Sequence, residues 1–139
     1  VSFDPIAHAT AVLTLLQAVT GLNVYDGEVP TSPPTDPDGR VHPYAVLYAG
    51  TAPTLRNSLS GTSSESPWTF QVTVAGGDRQ RCGWAALKVN GALLDKRLTV
   101  AGATTSRIAG VPGPDITRDD EPRPARFYQP LLFSLTSSS

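Results

Sequence analysis

PWTFQVTVAGGDRQRCGWAALKVNGALLDKRL, residues 67–98, decides the fold. Trp68, Phe70, Val72 and Val74 alternate with Thr69, Gln71 and Thr73. This period of two sets four large apolar groups on one face of a strand and leaves the other face wettable. Gly76-Gly77 breaks the strand, and Asp78 is placed to accept from the first free amides of a helix. Cys82, Ala85, Ala86 and Val89 then recur at the spacing of a helix face. The helix therefore lies back on the strand before it. No catalytic residue set stands among these positions.

Working outward, Phe3-Asp4-Pro5 is a helix start. Asp4 caps, Pro5 occupies the first turn where its missing N–H costs nothing, and Phe3 staples onto the following turn. Ile6, Ala9, Val12, Leu13, Leu16 and Val19 form the expected apolar stripe, stopped by Gly21. Asn23 to Asp26 reads as a short strand and residues 30–43, with Pro30, Pro33, Pro34, Pro37 and Pro43, as a stiff loop. Tyr44 to Ala49 is apolar on both faces and is placed inside the sheet. Residues 50–66 form a Ser/Thr/Gly-rich connection. Beyond the second helix, Arg97 to Val100 and Thr104 to Ala109 are weaker strands, and Arg126 to Thr136 is a closing strand with Phe127, Leu131, Phe133 and Leu135 on one face. Pro130 within it argues for an edge position or a bulge. The reading is a single α+β domain over residues 1–139, a mixed or antiparallel sheet of about four to six strands with two helices packed on one face and long loops.

Composition narrows the function. Of 139 residues, 17% are charged, below the roughly 25% usual in soluble domains, and there are 13 Pro and 12 Gly. A neutral surface of this kind loses little by being covered, because few charges are desolvated. The net charge of −1 offers no electrostatic footprint for gripping a phosphate backbone. The single cysteine, Cys82, has no partner for an internal disulfide and reads as a packing residue in a reducing compartment. No apolar run approaches the ~20 residues that span a bilayer, and the start lacks a signal-peptide pattern, so neither membrane nor export is expected.

Chemistry is equally sparse. Gly61-Thr62-Ser63-Ser64-Glu65 does not match G-x-S-x-G, and the two histidines, His8 and His42, lack an evident partner set. His8 is expected on the helix surface and His42 in a loop. Asp36-Pro37-Asp38-Gly39 has the look of a calcium loop, but counting from Pro34 puts Ala45 where the bidentate Glu belongs, so it reads as a turn. One Cys and two separated His do not make a zinc site within one chain. There is no phosphate-binding glycine loop. No cofactor, metal or catalytic residue is expected.

Three long connections, residues 30–43, 50–66 and 110–124, need a reason in so short a chain: they are either disordered or ordered against neighbouring subunits. The last carries Asp115, Arg118, Asp119, Asp120, Glu121, Arg123 and, just beyond, Arg126. This run is either a solvated loop or an intersubunit ion-pair belt, in which alternating signs fix register. The seven are the candidate subunit-interface residues.

Several words in order carry a resemblance: Val24-Tyr25-Asp26-Gly27-Glu28-Val29-Pro30, His42-Pro43-Tyr44-Ala45-Val46-Leu47-Tyr48, Pro67 to Val74, Asp78 to Ala85, Leu93 to Leu98, Arg118-Asp119-Asp120 and Pro124 to Tyr128. Together they resemble the tail terminator proteins of long-tailed phages, especially those infecting actinobacteria, over nearly the whole chain. The resemblance implies an α+β subunit, six of which close into a ring that caps the finished tail tube and docks to the head connector. Its partners would be itself, the tail tube protein and the connector, in a virion assembled in the host cytoplasm. DNA would pass through the lumen without being specifically bound, past walls richer in Asp, Glu, Ser and Thr than in Arg79, Arg81, Lys88 or Arg97. The same features also suit another head-tail joining subunit or a tail tube relative.

Overall fold

The computed structural model describes residues 3–50, 65–122 and 124–138. Two helices cover one face of a seven-stranded sheet. The elements in chain order are α1 (Pro5–Gln17), β1 (Asn23–Asp26), β2 (Tyr44–Ala49), β3 (Glu65–Gly76), α2 (Arg79–Leu93), β4 (Thr104–Thr105), β5 (Ala109–Val111), β6 (Thr117–Asp119) and β7 (Arg126–Ser138). β1 runs parallel to β2, and all other pairings are antiparallel. The expected α+β class, single sheet and one-sided helix layer are all present.

The strand–turn–helix unit forms as its pattern dictates. Trp68, Phe70, Val72 and Val74 are buried on the helix side of β3, joined by Ala45 and Leu47 of β2 and by Phe133 and Leu135 of β7. Asp78 caps α2, its side chain accepting from the Arg81 N–H at 2.7 Å. Cys82, Ala85, Val89 and Leu93 are the buried face of α2. Gly76 and Gly77 are required by closeness rather than by unusual backbone angles: a Cβ on Gly77 would lie 2.5 Å from the Val41 nitrogen, and one on Gly76 would lie 2.6 Å from Arg81 Cβ.

The first helix begins as read, with Asp4 accepting from the Ile6 and Ala7 amides, both at 3.1 Å. Its inward stripe differs. Ile6 is 75% exposed, while His8 is buried beside Val12 and Leu16. The expectation of a surface histidine is thus corrected, because the staple geometry takes Phe3 onto His8, with ring centroids 4.3 Å apart. The ring is fully paired: Nδ1 lies 2.6 Å from the Asp4 carbonyl oxygen and Nε2 lies 2.8 Å from Ser137 Oγ. Donation from Nδ1 to the carbonyl and from the serine hydroxyl to Nε2 satisfies a neutral imidazole.

The largest departure concerns β7. It is an interior strand, with β3 along one side and β4, β5 and β6 in succession along the other. Pro130 is accommodated because it falls between the stretch paired with β5, which ends at Leu132, and that paired with β6, which begins at Tyr128. Residues 110–124 are therefore no free loop, since β5 and β6 lie within or against this span. The expected strand at 97–100 is absent; Val100 makes an isolated bridge to Ala103. That segment is held instead by side chains, the Thr105 hydroxyl accepting from the Leu98 N–H at 2.9 Å and Arg97 donating to the Thr105 carbonyl at 3.0 Å. The connection at 50–66 lies mostly outside the described residues.

α2 contains two glycines, Gly83 and Gly91, where a Cβ would meet nothing within 4 Å. Helix-interior glycine is about 0.5–1 kcal/mol worse than alanine. Gly91→Ala is therefore expected to raise stability by about 0.8 kcal/mol, read as a higher denaturant midpoint with an unchanged slope.

Candidate functional site

Alternation along the strands creates a second sheet face that carries no helix among the described residues. At one end Val41, Tyr44, Val46 and Ala75 are buried there, packed against Tyr25 and Tyr128. At the other end Tyr48 and Val111 are 38% and 40% exposed, beside half-buried Leu132. Two open hollows mark this face. One of about 430 Å³ is lined by Tyr48, Thr69, Gln71, Val111 and Leu132. The other, of about 390 Å³, is lined by Pro30, Tyr44, Thr73, Asp119, Arg126 and Tyr128.

Of the candidate interface residues, Asp119 and Arg126 line the second hollow, and the described members of the set do different things. Asp115 accepts from the Ile116 amide at 2.9 Å. Arg118 pairs with Asp120 at 2.7 Å, with both side chains more than 60% exposed, so the pair is worth little as a stabiliser. Its guanidinium also lies 5.9 Å from the Phe127 ring centroid. Asp119 is half-buried and accepts from the Glu121 amide at 3.2 Å, and Glu121 is exposed. Arg123 lies outside the described residues. Arg126 departs from the run of exposed charges: it is 7% exposed and donates to the Tyr44 hydroxyl at 2.8 Å. Its position on β7 explains this, since Phe127, Leu131, Phe133 and Leu135 point to the helices and Arg126 must point to the opposite side.

A second charged cluster escaped the sequence reading. Thr35 and Val41 bridge a tight turn in which the Gly39 N–H donates to the Asp36 carbonyl at 2.8 Å and Gly39 has φ 82°. The Asp36 and Asp38 carboxylates grip Arg81 of α2, at 2.7 and 2.9 Å, and Arg81 also pairs with Asp78. His42 Nδ1 lies 2.8 Å from Asp36, and its Nε2 lies 2.7 Å from the Gly21 carbonyl. The stiff loop at 30–43 is thus ordered by its own chain, against the expectation of disorder or of ordering on a neighbouring subunit. Spacing offered no cue, because the partners are 45 and 43 residues apart.

Arg81 first and His42 second hold the Asp36 carboxyl below its ordinary 3.8 by hydrogen bonding to its charged form. The Arg40 amide, and then Arg81, do the same for Asp38. Depressed carboxyl pKa values contribute stability that is complete above the unfolded value and is lost as pH falls through the folded one. The melting temperature is therefore expected to drop as pH is lowered from roughly 5 to 2, with a shallower drop in Asp36→Asn, followed by circular dichroism.

What this arrangement can do chemically is limited. His42 offers each ring nitrogen to an acceptor of its own chain rather than to a hydroxyl nucleophile. Burial pushes the Cys82 thiol up to about 11, so it is not a thiolate at neutral pH. Among the described residues no group of three or more His, Cys, Asp or Glu is placed to hold a metal ion. No helix of the described residues is long and apolar enough to cross a membrane.

No protein-family model matches the chain, and no curated protein matches it. Solved structures do. A chain from the virion of a native gene transfer agent particle superposes with a TM-score of 0.66 at 17% identity, covering 99% of this chain and 100% of that one. A second solved chain gives a TM-score of 0.59 at 18% identity, covering 96% of this chain and 92% of its own length. At these identities the likeness is one of fold, and it extends end to end.

Proposed function

We propose that this protein is a structural subunit of a phage-like virion, and more narrowly a tail terminator: a subunit whose ring caps the tail tube, ends its polymerisation and joins it to the head connector. The observation that carries the reading is the end-to-end likeness to a chain of a gene transfer agent virion. The sequence words that resemble tail terminators point the same way, and the six-fold ring is part of that resemblance.

The physical features suit the role. A cyclic assembly needs two different flanks that fit each other. The outer strands here are short, four residues in β1 and two or three in β4, β5 and β6. Strand addition at an edge therefore gives little contact, and side chains of the uncovered sheet face and of the charged run are the better candidates for lateral contact. Arg81, whose presence in a lumen would favour gripping DNA, is occupied by three carboxylates of its own chain.

The deciding experiment is deletion of the gene in its phage, with particles viewed by electron microscopy. Headless tails of uncontrolled length are expected, restored to fixed length by the gene supplied in trans. Tails of normal length that fail to join heads would overturn the capping role and leave a head-tail joining subunit.

A further inference from the structure

Among the described residues, the buried Arg126 guanidinium has no counter-charge. Nη1 donates to the Tyr44 hydroxyl at 2.8 Å and the group lies 5.9 Å from the Tyr44 ring centroid, but Nε is sealed from solvent with no acceptor. Asp119 stands directly opposite in the β6–β7 register and lines the same hollow. It forms no ion pair with Arg126; its carboxylate faces the Glu121 amide instead. Among the described residues no carboxylate pairs with this guanidinium. Arginine does not escape the cost by losing its proton, so the charge stays, and burying it alone is strongly unfavourable. Its planar fork matches a carboxylate.

We propose that the 390 Å³ hollow around Arg126 is a carboxylate socket that receives an aspartate or glutamate from a second copy of this chain. Charge complementarity selects that occupant. Glu28, Asp115 and Glu121 are exposed and make no ion pair among the described residues, and a net charge of −1 lets copies approach without strong repulsion. Tyr44, Tyr128 and Pro30 wall the hollow, and Val29, 51% exposed, supplies apolar surface at it. Arg126 lines the same hollow and is nearly buried, so water competes poorly there for an entering carboxylate. The inference rests on the ring-forming reading above and names one contact that would build the ring.

The test compares the full-length wild type with Arg126→Met and Arg126→Lys by analytical ultracentrifugation across a concentration series, with melting temperature measured in parallel. Arg126→Met is expected to weaken self-association about 10-fold or more while its monomer melts at the same or a higher temperature, since an unpaired buried charge has been removed. Arg126→Lys is expected to fall between, keeping the charge and losing the fork. One of Glu28→Gln, Asp115→Asn or Glu121→Gln is expected to weaken association to a similar extent. Should Arg126→Met unfold, those three carboxylate variants still decide, because each lies on the surface. Association of Arg126→Met equal to wild type, or no loss in any carboxylate variant, overturns the socket and leaves the capping reading intact. A wild type that stays monomeric up to about 1 mM overturns it too, and the deletion phenotype then judges the capping reading on its own.

Discussion

Trp68→Ala is expected to bring the protein close to unfolding. Trp68 is completely buried in β3 opposite Leu135 of β7, and its ring centroid lies 5.9 Å from Phe3, 5.7 Å from His8 and 5.0 Å from Phe70. Its indole N–H donates to the Gly50 carbonyl at 3.4 Å. One side chain therefore joins the start of α1, the end of β2 and the middle layer of the core. Truncating a buried aromatic of this size costs about 3–5 kcal/mol, against a total stability of roughly 5–15 kcal/mol. The cavity also loosens the wall that holds His8 against Ser137. Urea unfolding followed by circular dichroism should show the midpoint falling by about half. Trp68→Phe, which keeps most of the ring volume, is expected to recover the larger part. A loss under about 1 kcal/mol for the alanine variant would mean that the described core is wrong at this point.

Gly77→Ala is the second large effect, with a different cause. The new Cβ would sit 2.5 Å from the Val41 nitrogen, 2.6 Å from Arg40 Cβ and 3.0 Å from the Arg40 carbonyl carbon. Backbone does not step aside as the end of a flexible side chain does. The Gly77 N–H also donates to the Val41 carbonyl at 2.8 Å, so relieving the clash breaks that bond. Overpacking of this kind costs roughly 3 kcal/mol, and it acts locally by prising the loop at 30–43 away from the Arg81 clasp. Hydrogen exchange should show the Asp36, Gly39 and His42 amides losing protection before those of β3. The Gly91→Ala variant is the matched control, the same added methyl group in open space.

The parts of the fold legible in the sequence are those fixed by local rules. The alternation of β3, the Asp4 and Asp78 caps and the spacing of Cys82, Ala85 and Val89 each announce their own structure within a few residues. Strands of two or three residues such as β4, β5 and β6 have too little length to show a period, and they exist only because β7 offers them a partner. The burial of His8 is not legible, because a polar group carries no signal of burial when its partners are the main-chain oxygen of Asp4 and the hydroxyl of Ser137, 129 positions away. Arg126 was legible as charged and as near an interface run. Its burial follows only from combining β7 parity with the apolar even-numbered side of β2, Tyr44 and Val46. The Asp36–Arg81 clasp is a matter of tertiary meeting alone.

The placement of β7 governs the order in which the molecule can be completed. Every strand that pairs with it precedes it in the chain, so during synthesis β3 waits with its long apolar edge unmatched and the residues from 104 to 119 have nothing to align on. Chains released before β7 is made would be expected to be adhesive, and that thirteen-residue strand, Arg126–Ser138, acts as the zip that closes the surface.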